Sequence, residues 1–454
     1  MVSDIKVEFA AKLTAKLGTG PLKTVVYSGT YGRNTSYISS WINKEDEKDK
    51  IKEILVKEIE LKITKTDIEW EVLQMLQHPN VARYILVEKK MKIFQPNALY
   101  IIQEYCKETL STFLEKTWPT YFGSVLKTAT RQMVSGLTYL HDSGIVHGNL
   151  KTSNVLVQPP LYKPKGFVLT DYAYTDYRSY PEEKNWEIWP CFRAKRIPDL
   201  DEITKWMAPE LLAETPFLIS YRTKTAGDEA TQIKKIQPST ATDVFSLGMI
   251  IFSMFKKVTG LDKVDEILCK LLVMQMTIPY PSRRISCQDI CKHPFLIIQP
   301  ESGGFAEARM DYIKELYDRI REGSSMQQIE ENASLVTKKF LPWDEPIHSF
   351  GGRMYFEMNQ RPEIERKYDG NSFMDLLRLI RNTKEHPIEE KMLKRIKEEI
   401  SNDAFSHNFP FALPLIYVCV EQEEISIQLI YFLSEIYNQV CKFSKIKKGE
   451  DEKR

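Results

Sequence analysis

The sequence predicts an α+β protein in two parts: a small lobe built on a β-sheet that leads into a mostly helical region, and then a wholly helical ending. Three observations carry this. The chain has 454 residues, and about 150 residues serve as a prior for one domain, so a single core cannot cover it. Before position 108 the apolar residues come in short, Val- and Ile-rich runs, and after it they recur at helical spacing. The composition, 43% apolar and 28% charged, is globular and excludes a disordered, collagen-like or membrane-embedded class.

Residues 22–29 and 51–63 read as strands, separated by the charged stretch 44–53, a solvated loop. Over 67–77, Ile68, Val72, Leu73 and Leu76 stand at helical spacing, and 81–87 and 98–104 read as further strands. Helices follow at 109–116, 122–142, 243–257 and 263–273, with short strands near 155–157 and 167–170. The polar, aperiodic stretches 176–205 and 219–241 read as long loops, which in a compact domain are functional or disordered. After HPFL (293–296) the pattern is helical throughout, broken by a Pro-rich stretch at 342–346. The charged end, KFSKIKKGEDEKR (442–454), has the composition of a disordered tail.

Sixty-three Lys and Arg against 62 Asp and Glu leave a net charge of +1, so the whole-chain field selects no polyanionic partner. The seven cysteines form no C-x-x-C pair and no zinc-ligand spacing, which predicts reduced, buried thiols, a cytoplasmic setting and no metal. The start of the chain lacks an apolar signal region. The most apolar later stretch, ALPLIYVCV (412–420), is too short to span a bilayer, so no insertion of this chain into a membrane is expected.

Several chemistry-bearing strings occur in a fixed order. Gly18 and Gly20 in LGTG form a turn whose amides can approach phosphates, although Lys23 occupies the place of a further glycine. Lys57 in ILVK is followed fourteen residues later by Glu71 on the next helix, a phosphate-gripping lysine and its ion-pair partner. Then come His147-Gly148-Asn149-Leu150-Lys151 with Asn154, Asp171-Tyr172-Ala173, Ala208-Pro209-Glu210, Asp243-Val244-Phe245-Ser246-Leu247-Gly248 and Arg284. This order resembles the protein-kinase fold over residues 13–297. The resemblance implies a bilobal fold with an ATP or ADP site held by Gly18, Gly20, Lys57, Glu71, Glu104, Cys106, Asn154 and Asp171, the last two also facing Mg²⁺.

Departures from that pattern imply a pseudokinase. Asn149 stands where a kinase has its catalytic carboxylate, and an amide cannot accept the substrate proton. Ala173 replaces a glycine, and Leu55 replaces the small residue over the adenine, narrowing the base pocket. Two readings stay open for this part, a nucleotide-responsive regulator and a kinase fold kept only as scaffold. Asp243, Arg284 and Glu210 read as structural groups, because buried charges need partners.

The segment RKYDGNSFMDLLRLIRNTKEHPIEEKMLKRIKEE (366–399) carries a second constellation. An Asp-Gly turn at 369–370 leads into Ser372-x-x-Asp375, a capping-box-like start, and Phe373, Leu376, Leu377 and Ile380 form an apolar stripe. The helix stops near His386, because Pro387 disfavours helical geometry before it. His386 at a helix C-terminus is favoured as the imidazolium, a general acid. Arg381 and Asn382 offer a guanidinium and an amide donor for phosphate, and Tyr368 a phenol that takes or relays a proton. From 378 to 397, seven Lys and Arg face three Glu, a local net of +4 hidden in the neutral total and suited to a nucleic-acid backbone.

Tyr-x₁₂-Arg-Asn-x₃-His after HPFL resembles the kinase-extension ribonuclease family, which includes ribonuclease L and the inositol-requiring sensor of the unfolded-protein response. The strings HPNVARY, EYCKETL, WMAPELL and YDRIREG resemble the sensor. The resemblance implies an all-helical ribonuclease domain at 302–441 whose Tyr368, Arg381, Asn382 and His386 serve metal-independent cleavage, leaving a 2′,3′-cyclic phosphate. It implies RNA and not DNA as substrate, no cofactor at the nuclease site, and a homodimer or higher homo-oligomer. Either the chain is the cytosolic part of an endoplasmic-reticulum membrane protein or it is a soluble relative. Two alternatives remain: a protein serine/threonine kinase retaining autophosphorylation, and a non-enzymatic pseudokinase adaptor.

Overall fold

A computed structural model describes residues 23–31, 34–42, 51–61, 70–90, 97–104, 106–116, 123–159, 166–172, 205–213, 238–298, 305–323, 326–337, 366–369, 372–385, 412–421 and 431–434. The chain divides into two compact units, 1–259 with 273–291, and 260–272 with 292–454.

In the first unit, β1 (Lys23–Tyr31), β2 (Asn34–Ile42), β3 (Ile51–Leu61), β4 (Tyr84–Lys90) and β5 (Asn97–Glu104) form an antiparallel sheet in the order β1-β2-β3-β5-β4. The strand β2 was not expected. Its NTSYISSWI has Ser or Thr at four of nine positions, so apolar alternation is lost; pairing with β1 and β3 on both sides makes it a strand. Helix α1 (Trp70–Met75) follows β3.

Helices α2 (Leu110–Lys116) and α3 (Gly123–Asp142) lead to the hairpin of β6 (Val155–Gln158) and β7 (Gly166–Leu169). Leu126, Met133, Val134, Leu137 and Leu140 of α3 are fully buried, an amphipathic stripe turned to the core. The turn 78–81 lies so close to α3 that a Cβ on Gly136 would stand 2.6 Å from the Asn80 carbonyl oxygen, so only glycine fits there. Asn80 closes the junction, donating from Nδ2 to the Phe167 carbonyl at 3.0 Å, while its own carbonyl accepts from Leu169 N at 2.8 Å.

Helix α4 (Pro209–Ala213) precedes α5 (Thr240–Phe255), which starts with a complete capping box between Ser239 and Thr242. The charged groups read as structural are paired: Arg284 grips Glu210 through two bonds of 2.5 and 2.6 Å and also donates to the Ala241, Ile278 and Pro279 carbonyls. In α7 (Cys287–Cys291) Cys287 is buried, but Cys291 is exposed, against the expectation that both are buried thiols; the two share a face at i and i+4, but Cys291 is the last residue of the helix.

The second unit takes in α6 (Lys263–Met276) as far as residue 272, then α8 (Pro294–Ile297), α9 (Phe305–Gly323), α10 (Met326–Thr337), α11 (Phe373–Glu385) and α12 (Ala412–Glu421). Helix α9 packs against α11 and α12, and so does α10. The apolar stretch at 412–420 is α12, buried along most of its length; among the described residues no helix is long and apolar enough to cross a membrane. Arg309, 2% exposed, reaches Asp262 at 2.7 Å and Asp265 at 3.1 Å, so its burial is compensated by two carboxylates.

Two fully buried histidines make stability depend on pH. His293 caps α8, its Nδ1 accepting from Phe295 N at 3.1 Å, and its ring meets Tyr417 edge-on at 4.8 Å. Burial pushes the His293 imidazole down to about 3 and lowers that of His147. Below the unfolded value of ~6.5 the unfolded chain takes up protons that the folded chain refuses. Their contribution is therefore complete above that pH and is lost as pH falls below it, for His293 down to about 3 and by up to about 1.4 kcal/mol per unit. Urea midpoints should drop between pH 7.5 and 5.5, and drop less in His293→Asn, which keeps an acceptor for Phe295 N. An equal drop in both proteins contradicts the assignment to His293.

Candidate active site

The segment 366–369 and helix α11 build the first cluster. The start of α11 is fixed as its sequence requires: Ser372 Oγ accepts from Asp375 N at 3.1 Å. The reciprocal half of the box differs. The Asp375 carboxylate turns to Asp369 N at 2.8 Å, Arg366 at 3.3 Å and Arg378 at 3.5 Å. The first helical amides are capped from outside, because Glu330 of α10 accepts from Phe373 N at 3.1 Å and Met374 N at 2.9 Å.

Asp375, Arg378 and Asn382 stand at i, i+3 and i+7, one stripe of α11, and Tyr368 lies on it, 3% exposed. Asn382 Nδ2 donates to the Tyr368 hydroxyl oxygen at 2.8 Å, and Arg381 donates to Asn382 Oδ1 at 3.1 Å. A hydrogen-bonded chain of guanidinium, amide and phenol results. Arg381 is further placed by Asp318 of α9, 3.5 Å from its Nε. Burial raises the Tyr368 phenol above its ordinary value, while the Asn382 bond and the Arg378 cation pull it back down. His386 follows directly on the last residue of α11 and lies outside the described residues.

The second cluster surrounds Asp171 in the first unit. Asp171 has φ of 61°, the one positive value among the described non-glycine residues, and such strain is a mark of functional positions. The residue after it anchors the turn: Tyr172 is buried, stacks on Tyr84 at 4.5 Å and donates to the Ala82 carbonyl at 2.7 Å. Asn154 Nδ2 donates to the Asn149 carbonyl at 2.8 Å, and the Asn154 carbonyl accepts from Thr170 N at 3.0 Å. Asn154 and Asp171 are thereby brought to one place.

Leu55 and Lys57 of β3 pair with Gln103 and Ile101 of β5. For Lys57, Glu71 and Glu104 the backbone is placed, on β3, α1 and β5, and their side chains lie outside the described residues, as do Gly18 and Gly20 entirely. Cys106 is half-buried, its thiol turned to the Glu108 and Val157 carbonyls at 3.5 and 3.4 Å.

Sequence reasoning gives no positioning role to four residues that shape these clusters, one of which, Arg378, it reads only as part of the basic stretch 378–397. Glu330, Asp318 and Gln103, which accepts from Thr170 Oγ1 at 3.0 Å, act across long separations and leave no local signal. Arg378 was legible in principle, since it stands at helical spacing from Asp375 and Asn382.

The family model for the protein kinase domain matches residues 12–296, and that for Ribonuclease 2-5A matches residues 311–431. The human serine/threonine-protein kinase/endoribonuclease IRE2 is 26% identical over 344 residues, 69% of this chain and 32% of that one. The Schizosaccharomyces pombe sensor for unfolded proteins in the ER, ire1, is 24% identical over 407 residues, 82% of this chain and 34% of that one. The Caenorhabditis elegans serine/threonine-protein kinase/endoribonuclease ire-1 is 24% identical over 428 residues, 88% of this chain and 37% of that one. The chain thus spans about a third of the length of these relatives. A protein kinase domain implies a nucleotide site, ordinarily served by Mg²⁺. With one match over more than half of its length and the other directly after it, the chain belongs to the kinase/endoribonuclease family, a protein kinase domain continued by a Ribonuclease 2-5A domain.

Proposed function

We propose that this chain is an endoribonuclease of unfolded-protein-response or RNA-decay signalling, acting on the cytosolic side, in which a nucleotide-responsive pseudokinase at 13–297 controls a ribonuclease domain at 302–441 through homodimerisation. The charged end 442–454 belongs to neither. The observation that carries this reading is the chain of Arg381, Asn382 and Tyr368 on one stripe of α11, next to the position of His386. It holds a phenol, an amide and a guanidinium where a phosphodiester needs proton transfer and charge stabilisation.

The ribose 2′-oxygen attacks the adjacent phosphorus and the bond to the 5′-oxygen breaks, giving a 2′,3′-cyclic phosphate and a 5′-hydroxyl. Tyr368 assists removal of the 2′-hydroxyl proton, and the Asn382 bond to its oxygen favours the phenolate character this requires. Arg381 and Asn382 steady the charge on the phosphate oxygens. His386 gives its proton to the departing 5′-oxygen. The reaction draws on no metal.

Asn154 and Asp171 fit Mg²⁺. With Asn154 Nδ2 committed to the Asn149 carbonyl, its Oδ1 is the remaining ligand atom, and together with the Asp171 carboxylate it would supply the hard oxygen donors the ion takes. When bound with ATP or ADP, Mg²⁺ neutralises phosphate charge. Lys57, paired with Glu71, would hold the phosphates, and the Gly18 and Gly20 amides would cover them. Glu104 and Cys106 would meet the base through their backbone. Asn149 leaves the substrate hydroxyl without a carboxylate base, so nucleotide acts here as a signal rather than a phosphoryl donor.

The test is cleavage of a stem-loop RNA against protein concentration, with and without ATP or ADP. Activity per protomer should rise with concentration, nucleotide should shift that rise, and labelled ATP should leave no phosphate on the protein. Activity strictly proportional to protein overturns the dimer control. Absence of cleavage at every concentration favours the adaptor. Incorporated label that disappears in Lys57→Ala restores the kinase.

A further inference from the structure

We propose that Arg378 is the positioning residue for the Tyr368 phenol, fixing the ring by lying across its face while bonded to the backbone just before it. The inference rests on the ribonuclease reading, in which Tyr368 moves a proton. The Arg378 guanidinium carbon stands 4.3 Å from the Tyr368 ring centroid, and one terminal nitrogen donates to the Arg366 and Lys367 carbonyls at 3.0 and 2.8 Å. On the other side of Tyr368, the Asp369 amide donates to Asp375, which also lies 3.5 Å from Arg378. The backbone is therefore gripped before and after Tyr368, and its ring and hydroxyl are held by the same helix stripe.

The task suits arginine. A planar guanidinium covers a ring face and keeps N–H groups in its plane for carbonyls, whereas an ammonium is a point charge that can satisfy one demand at a time. The Arg378 side chain is mostly buried, 14% exposed, which places it under the site rather than on its solvent side. Among the described residues, the groups that act on the phenol include Asn382, Arg378 and Asp375 on α11 and Tyr317 on α9. Of these, Arg378 is a cation that acts on the phenol, opposing Asp375 and Tyr317 as negative charge develops on the oxygen.

Steady-state cleavage of a stem-loop RNA by the full chain, from pH 6 to 9.5, tests this with Arg378→Met, Arg378→Lys and Tyr368→Phe, each with its melting temperature. Arg378→Met should lower kcat roughly 10- to 100-fold with KM little changed, because a misplaced group costs rate rather than binding. Its alkaline inflection should move to higher pH, since a cation has left the phenol. Arg378→Lys should restore the inflection and only part of kcat; if Arg378→Met is unfolded at the assay temperature, this variant alone decides by the same loss of kcat at unchanged KM. A rise in KM with kcat intact would make Arg378 an RNA contact, and a uniform loss with an unmoved inflection would make it merely structural; either overturns the inference. Wild-type cleavage by Tyr368→Phe would instead remove Tyr368 from the reaction and the inference with it, whereas no cleavage by the unaltered chain at any concentration would overturn the ribonuclease reading beneath it.

Discussion

Tyr368→Phe should lower cleavage of a stem-loop RNA by ~10² to 10⁴, the range lost with a general base, while the protein stays folded. The substitution is unusually selective in this setting. Phenylalanine fills the same buried space, stays under the Arg378 guanidinium and leaves both backbone grips on the segment in place. What disappears is the oxygen that accepts from Asn382. One lost hydrogen bond costs about 1 kcal/mol, a shift of a few degrees in melting temperature at most for a domain of this size. His386→Ala should abolish cleavage in the same way, by removing the acid. Undiminished activity in both variants would sink the assignment of the site.

Asp243→Ala should destabilise the first unit by about 3–5 kcal/mol, the cost of breaking a buried charged network, against a total stability of about 5–15 kcal/mol for a domain. Asp243 is 1% exposed, and its two oxygens accept from His147 N and Gly148 N, both at 2.7 Å, with His141 Nε2 at 3.0 Å from one of them. Alanine leaves the His147 and Gly148 amides and the His141 ring nitrogen without the carboxylate they meet. Gly148 takes a positive φ of 67°, a conformation that glycine adopts without strain, so the loss measured is that of the bonds to Asp243. Asp243→Asn keeps one carbonyl oxygen and should fall between the two. Urea unfolding followed by far-ultraviolet circular dichroism measures the series, and a loss below about 1 kcal/mol for the alanine variant would show that the turn holds itself.

Helix α11 was readable from the chain because its causes are local: Ser372 caps it, Phe373, Leu376 and Leu377 turn inward, and it runs to Glu385 just before the His-Pro pair. The pairing of Arg284 with Glu210 was readable as a need for partners, not as a geometry, since the two are 74 positions apart. Strand β2 was not readable. Its hydroxyl side chains carry no alternation, and two neighbouring strands decide its conformation. Of the candidate site, residue types and spacing pointed to Tyr368, Arg381 and Asn382. What holds them, Arg378 over the ring and Asp318 beside Arg381, came only from placing helices side by side. Spacing says which residues share a face, and packing says what that face is pressed against.

Glu330 has a consequence for how the nuclease half can be made and divided. The carboxylate that closes the first amides of α11 comes from α10, 43 and 44 positions earlier in the chain. During synthesis the cap leaves the ribosome before the helix it completes, so α11 meets a ready acceptor as it emerges. The reverse holds for a fragment. A piece beginning after Thr337 carries Tyr368, Arg381, Asn382 and His386 intact, yet lacks the acceptor that sets where their helix starts. The smallest self-sufficient unit of this half is thus defined by a helix that contributes none of the proposed catalytic residues.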